Sequence, residues 1–201
     1  MESPAMALSP LFVSSTSKAS IAMHASKVTG YTFRWDHRRN EPGTPLSEEE
    51  ARAKDAAGEE YSAILPPRPG TRSAVLVTPV WRTGVVVVTF IDDFGRRVVE
   101  YVFTGKDDHR LFLSGVRVWT YPNDQPGLLL SDAVVRENIR YREDGHVRRV
   151  ITDKAERHRE TVEYTGVPVD THWESVPAFG AYGSIGRFER GAPPLESHPG
   201  D

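Results

Sequence analysis

The segment His158-Arg159-Glu160-Thr161-Val162-Glu163-Tyr164 alternates in a way that sorts its chemistry. In an extended chain successive side chains point to opposite faces. His158, Glu160, Val162 and Tyr164 therefore share one face, and Arg159, Thr161 and Glu163 the other. A face carrying histidine, glutamate and tyrosine can supply a general acid or base if it lines a pocket. His172, in the next extended segment, is the other histidine that a strand could aim inward. His158, Glu160 and His172 are thus the candidate catalytic set. The competing reading is a solvent face with cross-strand ion pairs, each worth from tenths of a kcal/mol to about 1 kcal/mol. The remaining histidines, His24, His37, His109, His146 and His198, fall in tails, loops or a hairpin base and read as solvated.

A second constellation is basic. Glu143-Asp144-Gly145 separates β-type segments at about 133–142 and 146–152. A three-residue loop with Gly145 in the left-handed region sets Arg142 opposite His146 and Tyr141 opposite Val147. Ile139, Tyr141, Val147 and Ile151 then share a face with Arg149. Arg140, Arg142, His146 and Arg148 share the other with Val150. A two-residue loop scrambles both faces, which favours the first register. Arg140, Arg142 and Arg148 offer planar donor pairs for a carboxylate, a phosphate or an acidic protein partner. The plainer reading is the wet side of a sheet. Trp81, Trp119, Tyr164 and Trp173 are candidate ligand platforms at a cavity mouth; as core plugs they would serve stability instead.

Other common apparatus is missing from the sequence. There is no cysteine, which excludes thiolate metal sites, cysteine nucleophiles and disulfides. Gly180-Ala181-Tyr182-Gly183-Ser184-Ile185-Gly186 comes nearest to a phosphate loop, but it has neither a preceding parallel strand nor the lysine. No GxSxG elbow and no His-x-x-x-His pair occurs. His109 beside Asp107 and Asp108 lacks the further ligands an ion needs. No metal and no cofactor is expected.

These residues need elements to hold them. Tyr31-Thr32-Phe33-Arg34-Trp35-Asp36 alternates aromatic and polar and predicts a strand with three rings on one face. Ser47 and Glu50 form a capping-box pattern that opens a helix over 47–64, which Pro66 and Pro67 stop. From Ser73 the pattern is β. Val85 to Ile91, apolar on both faces, predicts a central strand. Asp92-Asp93-Phe94-Gly95 predicts a hairpin loop. Further strands follow at about 97–104, 110–121, 133–142, 146–152 and 158–165, with a last short one at 184–190. The whole predicts a mainly β protein with one N-terminal helix (α+β): an antiparallel meander of seven to nine strands forming a closed or half-open barrel or curled sheet. The expected organisation is a disordered leader over 1–30, one domain over 31–190 and a flexible tail over 191–201.

With 201 residues and a net charge of −3, the chain lacks the basic excess that drives phosphate binding, which argues against nucleic acid as a partner. No stretch reaches the ~18 apolar residues of a membrane span. A cytoplasmic location is expected. The function expected is that of a soluble, non-catalytic, barrel-like binding protein, of an inhibitor or immunity type, taking a small-molecule ligand or an acidic protein partner. The alternative is a small cofactor-independent enzyme, an isomerase, cyclase or lyase, with its His, Glu and Tyr inside the barrel. A roomy interior entered by those side chains favours the enzyme; a packed interior with an exposed arginine patch favours the binding module.

Overall fold

A computed structural model describes residues 27–67, 70, 72–107 and 109–190. Most of the expected leader and all of the expected tail lie outside the described residues. The strands are β1 (Gly30–Thr32), β2 (Trp35–Asp36), β3 (Glu41–Pro42), β4 (Pro45–Leu46), β5 (Ser62–Leu65), β6 (Val75–Val80) and β7 (Val85–Ile91). They continue with β8 (Arg97–Gly105), β9 (Arg110–Thr120), β10 (Val135–Tyr141), β11 (Val147–Asp153), β12 (His158–Tyr164) and β13 (Trp173–Ser175). Among the described residues one α-helix, α1, spans Glu48–Ala56.

Eleven of the strands form one antiparallel sheet in the order β12-β11-β10-β9-β8-β7-β6-β5-β1-β4, with β13 beside the start of β9. Neighbours in sequence are almost everywhere neighbours in space, as short turns dictate. β7 lies deep inside the sheet, between β6 and β8, as its two apolar faces predict. The sheet does not close into a barrel and is not strongly curled: β4 and β12 are free edges.

The reason is that another part of the chain covers the apolar face. The ladder registers align Leu65, Val75, Phe90, Val99 and Val118 in one row, and Ala63, Val77, Val88, Tyr101 and Val116 in the next. Onto these rows fold Phe179, Tyr182, Ile185 and Phe188 from the C-terminal segment, with Ala51 of α1. Tyr182 and Ile185 are fully buried. The expected strand at 184–190 is therefore not a strand. Its apolar residues pack face-down on the sheet instead of joining its edge.

Two further expectations need correction. The helix ends at Ala56, not at 64. Gly58 takes a left-handed conformation (φ +70°), and Ser62–Leu65 is taken into the sheet between β1 and β6. Its start is as expected: the Ser47 hydroxyl accepts from the Glu50 N–H at 3.2 Å, and the Ser47 N–H donates to the Glu50 carboxylate at 2.8 Å. The aromatic strand at 31–36 is broken into β1 and β2, where the Thr32 hydroxyl donates to the Arg34 and Thr44 carbonyls. Tyr31 alone of its three rings stacks into the core, 5.2 Å from Phe179.

Candidate functional site

The β10–β11 hairpin has the register its loop predicts. Tyr141 pairs with Val147, the Arg142 N–H donates to the His146 carbonyl at 2.9 Å, and Gly145 has φ +79°. Arg140 and Arg148 consequently stand directly opposite each other, both exposed. On the other side Arg140 faces Gly115, which has no side chain to cover it. The same sheet face carries Arg117, Arg136 and Arg159, by the parity of the ladders. It is the face opposite the covered core.

Like charges set directly across a ladder repel. Arg148 is relieved in part by Glu163 at 3.7 Å, and Arg142 by Asp144 at 2.8 Å. Arg140 meets no carboxylate among the described residues. Further in, Glu100 is 5% exposed and takes Arg97 at 3.3 Å and Arg117 at 3.2 Å, while accepting from Thr89. The face thus has an inner end where two arginines share the buried Glu100, and an outer end where Arg148 has only a longer contact to Glu163 and Arg140 has none among the described residues. What it can do chemically is accept carboxylates or other oxyanions in two-pronged hydrogen bonds.

The structure does not bring His158, Glu160 and His172 together. His158 and Glu160 are exposed on the edge strand β12. His172 is 2% exposed, in a 3-10 turn before β13. It fills the seam where β9 changes neighbours from β13 to β10, with its ring 4.4 Å from Tyr141 and 5.9 Å from Phe112. Tyr141 lies level with Val147 and Tyr164, so Glu160 is four residues, about 13 Å, further along β12. Burial first, and the Arg190 charge second, lower the pKa of His172 and hold it neutral.

The rings are dispersed as well. Trp81 donates its indole N–H to Asp55 at 2.5 Å, beside an open cleft of about 420 Å³ with Gly105, Leu111 and Val176 in its walls. Trp119 sits on β9 opposite Arg136, on the arginine face. Trp173 pairs with Phe112, its ring under the Arg110 guanidinium at 4.7 Å. Tyr164 lies opposite Val147 on β12.

One cavity was not legible from spacing. It is an open pocket of about 270 Å³ lined by His37, Arg97, Tyr121 and the loop residues Leu128, Leu129 and Leu130. Arg97 donates to His37 Nε2 at 2.8 Å, so the neutral ring carries its proton on Nδ1. Burial first, and then the Arg97 charge, push the His37 pKa down to about 4. The only sequence signal was the three consecutive leucines in an otherwise polar loop. No family model matches the chain, and no match is found among curated proteins or solved structures.

Proposed function

We propose that this protein is a non-catalytic binding module that docks an acidic protein partner on the arginine face of β9–β12. The observation that carries the reading is the direct opposition of Arg140 and Arg148, with no carboxylate at Arg140 among the described residues. Two guanidiniums held across a ladder raise the energy of the free protein, and a partner's carboxylate between them removes that cost. Interior packing supports the same reading, since the space above the sheet's apolar rows is filled by Phe179, Tyr182, Ile185 and Phe188. A small-molecule ligand is the second reading, favoured by the leucine-walled cavity beside His37 and Arg97.

The test is titration of a glutamate-rich peptide against the full chain and against the double variant Arg140→Gln, Arg148→Gln. Loss of two charge-assisted contacts is expected to weaken binding at least ~30-fold. Wild-type affinity is expected to fall as salt rises. Equal binding by the variant overturns the reading. A small apolar carboxylate that binds both proteins alike, with no peptide bound, places the ligand in the cavity instead.

A further inference from the structure

The two edges of the sheet are unlike. β4 is two residues long and begins with Pro45, and both features blunt an edge. β12 is seven residues long, with neither proline nor bulge, and among the described residues it pairs only with β11. After Tyr164 the chain turns inward, the Val167 N–H reaching the Gly145 carbonyl at 3.0 Å, so it does not run along the outer side of β12. Along its seven residues, the outward backbone donors and acceptors of alternate residues therefore meet no partner among the described residues.

Charges on an edge ordinarily keep other strands away. The charges of β12 are arranged so that one partner turns them attractive. Pair His158-Arg159-Glu160-Thr161-Val162-Glu163-Tyr164 with an antiparallel copy of itself about Thr161. Arg159 then faces Glu163, twice by symmetry. Thr161 faces Thr161, His158 faces Tyr164, and Glu160 faces Val162. Opposite charges and threonine pairs directly across a ladder are both favourable. The neighbouring registers lose this. Centring on Glu160 sets two carboxylates against each other, and centring on Val162 leaves Arg159 and Glu163 without each other. A shift by a single residue brings the apolar side of one copy level with the polar side of the other.

We propose that β12 is a self-association edge, where a second copy of this chain adds antiparallel about Thr161 to continue the sheet across a twofold axis. On the other face the half-buried Val162 then stands beside Glu160 of the twin, with the twin's half-buried Ile151 next along the same row. An edge this short gives less contact than the ~1,200 Å² of a standard interface, so the dimer forms and dissociates with concentration. This inference rests on the backbone edge and its register, not on the Arg140–Arg148 opposition, although Glu163 also meets Arg148 at 3.7 Å.

Sedimentation velocity on the full chain, over about a hundredfold range of concentration, is expected to show a monomer–dimer equilibrium. Arg159→Glu and Glu163→Arg, each checked for native circular dichroism, are each expected to weaken dimerisation at least ~tenfold by setting like charges opposite. Mixed in equal amounts they are expected to form a heterodimer, because each position 159 then meets an opposite charge at position 163 of the other chain. Since the native chain has no cysteine, Thr161→Cys gives an independent readout. On mild oxidation it is expected to cross-link to its twin far faster than Glu156→Cys in the neighbouring turn. A monomer at every concentration, a dimer indifferent to both charge changes, a mixture that stays monomeric, or cross-linking no faster at 161 than at 156 overturns the proposal.

Discussion

His37 shows how much one ring's surroundings decide. Its Nε2 accepts from the Arg97 guanidinium at 2.8 Å, and its pKa is pushed down to about 4. Protonating it removes that acceptor and sets two cations together. The unfolded chain holds this proton with an ordinary histidine pKa of about 6.5. Between those values the unfolded state binds more proton than the folded one, so stability falls as pH drops from about 6.5 to about 4 and then levels off. Discounted for the ring's partial exposure, the loss is about 1–3 kcal/mol. His37→Gln keeps an oxygen acceptor for Arg97 and cannot titrate. Its melting temperature is expected to vary less with pH across that window than the wild type's, leaving the slope due to His172, which burial also holds neutral. Equal slopes in the two proteins would rule out His37 as the source. Nothing near position 37 announces this: its partner lies 60 residues away. The Ser47–Glu50 capping box is legible from sequence because both partners sit within one turn.

At the scale of elements, hairpins are legible for the same reason. The β10–β11 loop could be placed because a glycine with positive φ and two alternating strands leave one self-consistent register. What the sequence does not contain is the second duty of that glycine. A Cβ on Gly145 would stand 2.7 Å from the Val167 carbonyl oxygen, on the segment that leaves β12. Gly127 has nearly the same backbone angle, φ +76°, with nothing within 4 Å of such a Cβ. The pair separates backbone strain from collision. Gly127→Ala is expected to cost about 1 kcal/mol, the price of a left-handed non-glycine residue. Gly145→Ala must also push a backbone segment aside, and is expected to cost at least ~2–3 kcal/mol. Urea denaturation of both variants checks this; equal losses would mean that the Val167 segment yields freely. The helix end and the broken first strand were illegible for a related reason. Both depend on Ser62–Leu65 and Gly30–Thr32 finding each other across the sheet, against a local pattern that reads otherwise.

For the whole molecule, the sequence carries the antiparallel meander but not its failure to close. Closure depends on whether the first and last strands meet, and on what else shields the apolar rows. Here the shield is the C-terminal segment, and one residue fastens it. Arg190, 6% exposed, pairs with Glu174 at 2.6 Å and donates to the carbonyls of Ser184 and Ile185 at 3.0 and 2.8 Å. Its guanidinium lies over the Phe103 ring at 4.7 Å. It thus ties the covering segment to β13 through Glu174 and to the sheet through an aromatic of β8. Arg190→Ala leaves Glu174 with Arg187 alone and takes this donor from the buried Ile185 carbonyl and the half-buried Ser184 carbonyl. Breaking one side of a buried ion pair costs ~3–5 kcal/mol, and the remaining Arg187 contact, at 2.5 Å, reduces this to about 2–4 kcal/mol. If cover and sheet form one cooperative unit, the variant unfolds in a single transition at lower urea with an unchanged m-value. A separate early transition, with tyrosine exposure preceding loss of β structure, would show instead that the segment lifts off a sheet stable without it. The single transition is expected, because the rows that Tyr182 and Ile185 bury have no other cover among the described residues than α1 and this segment.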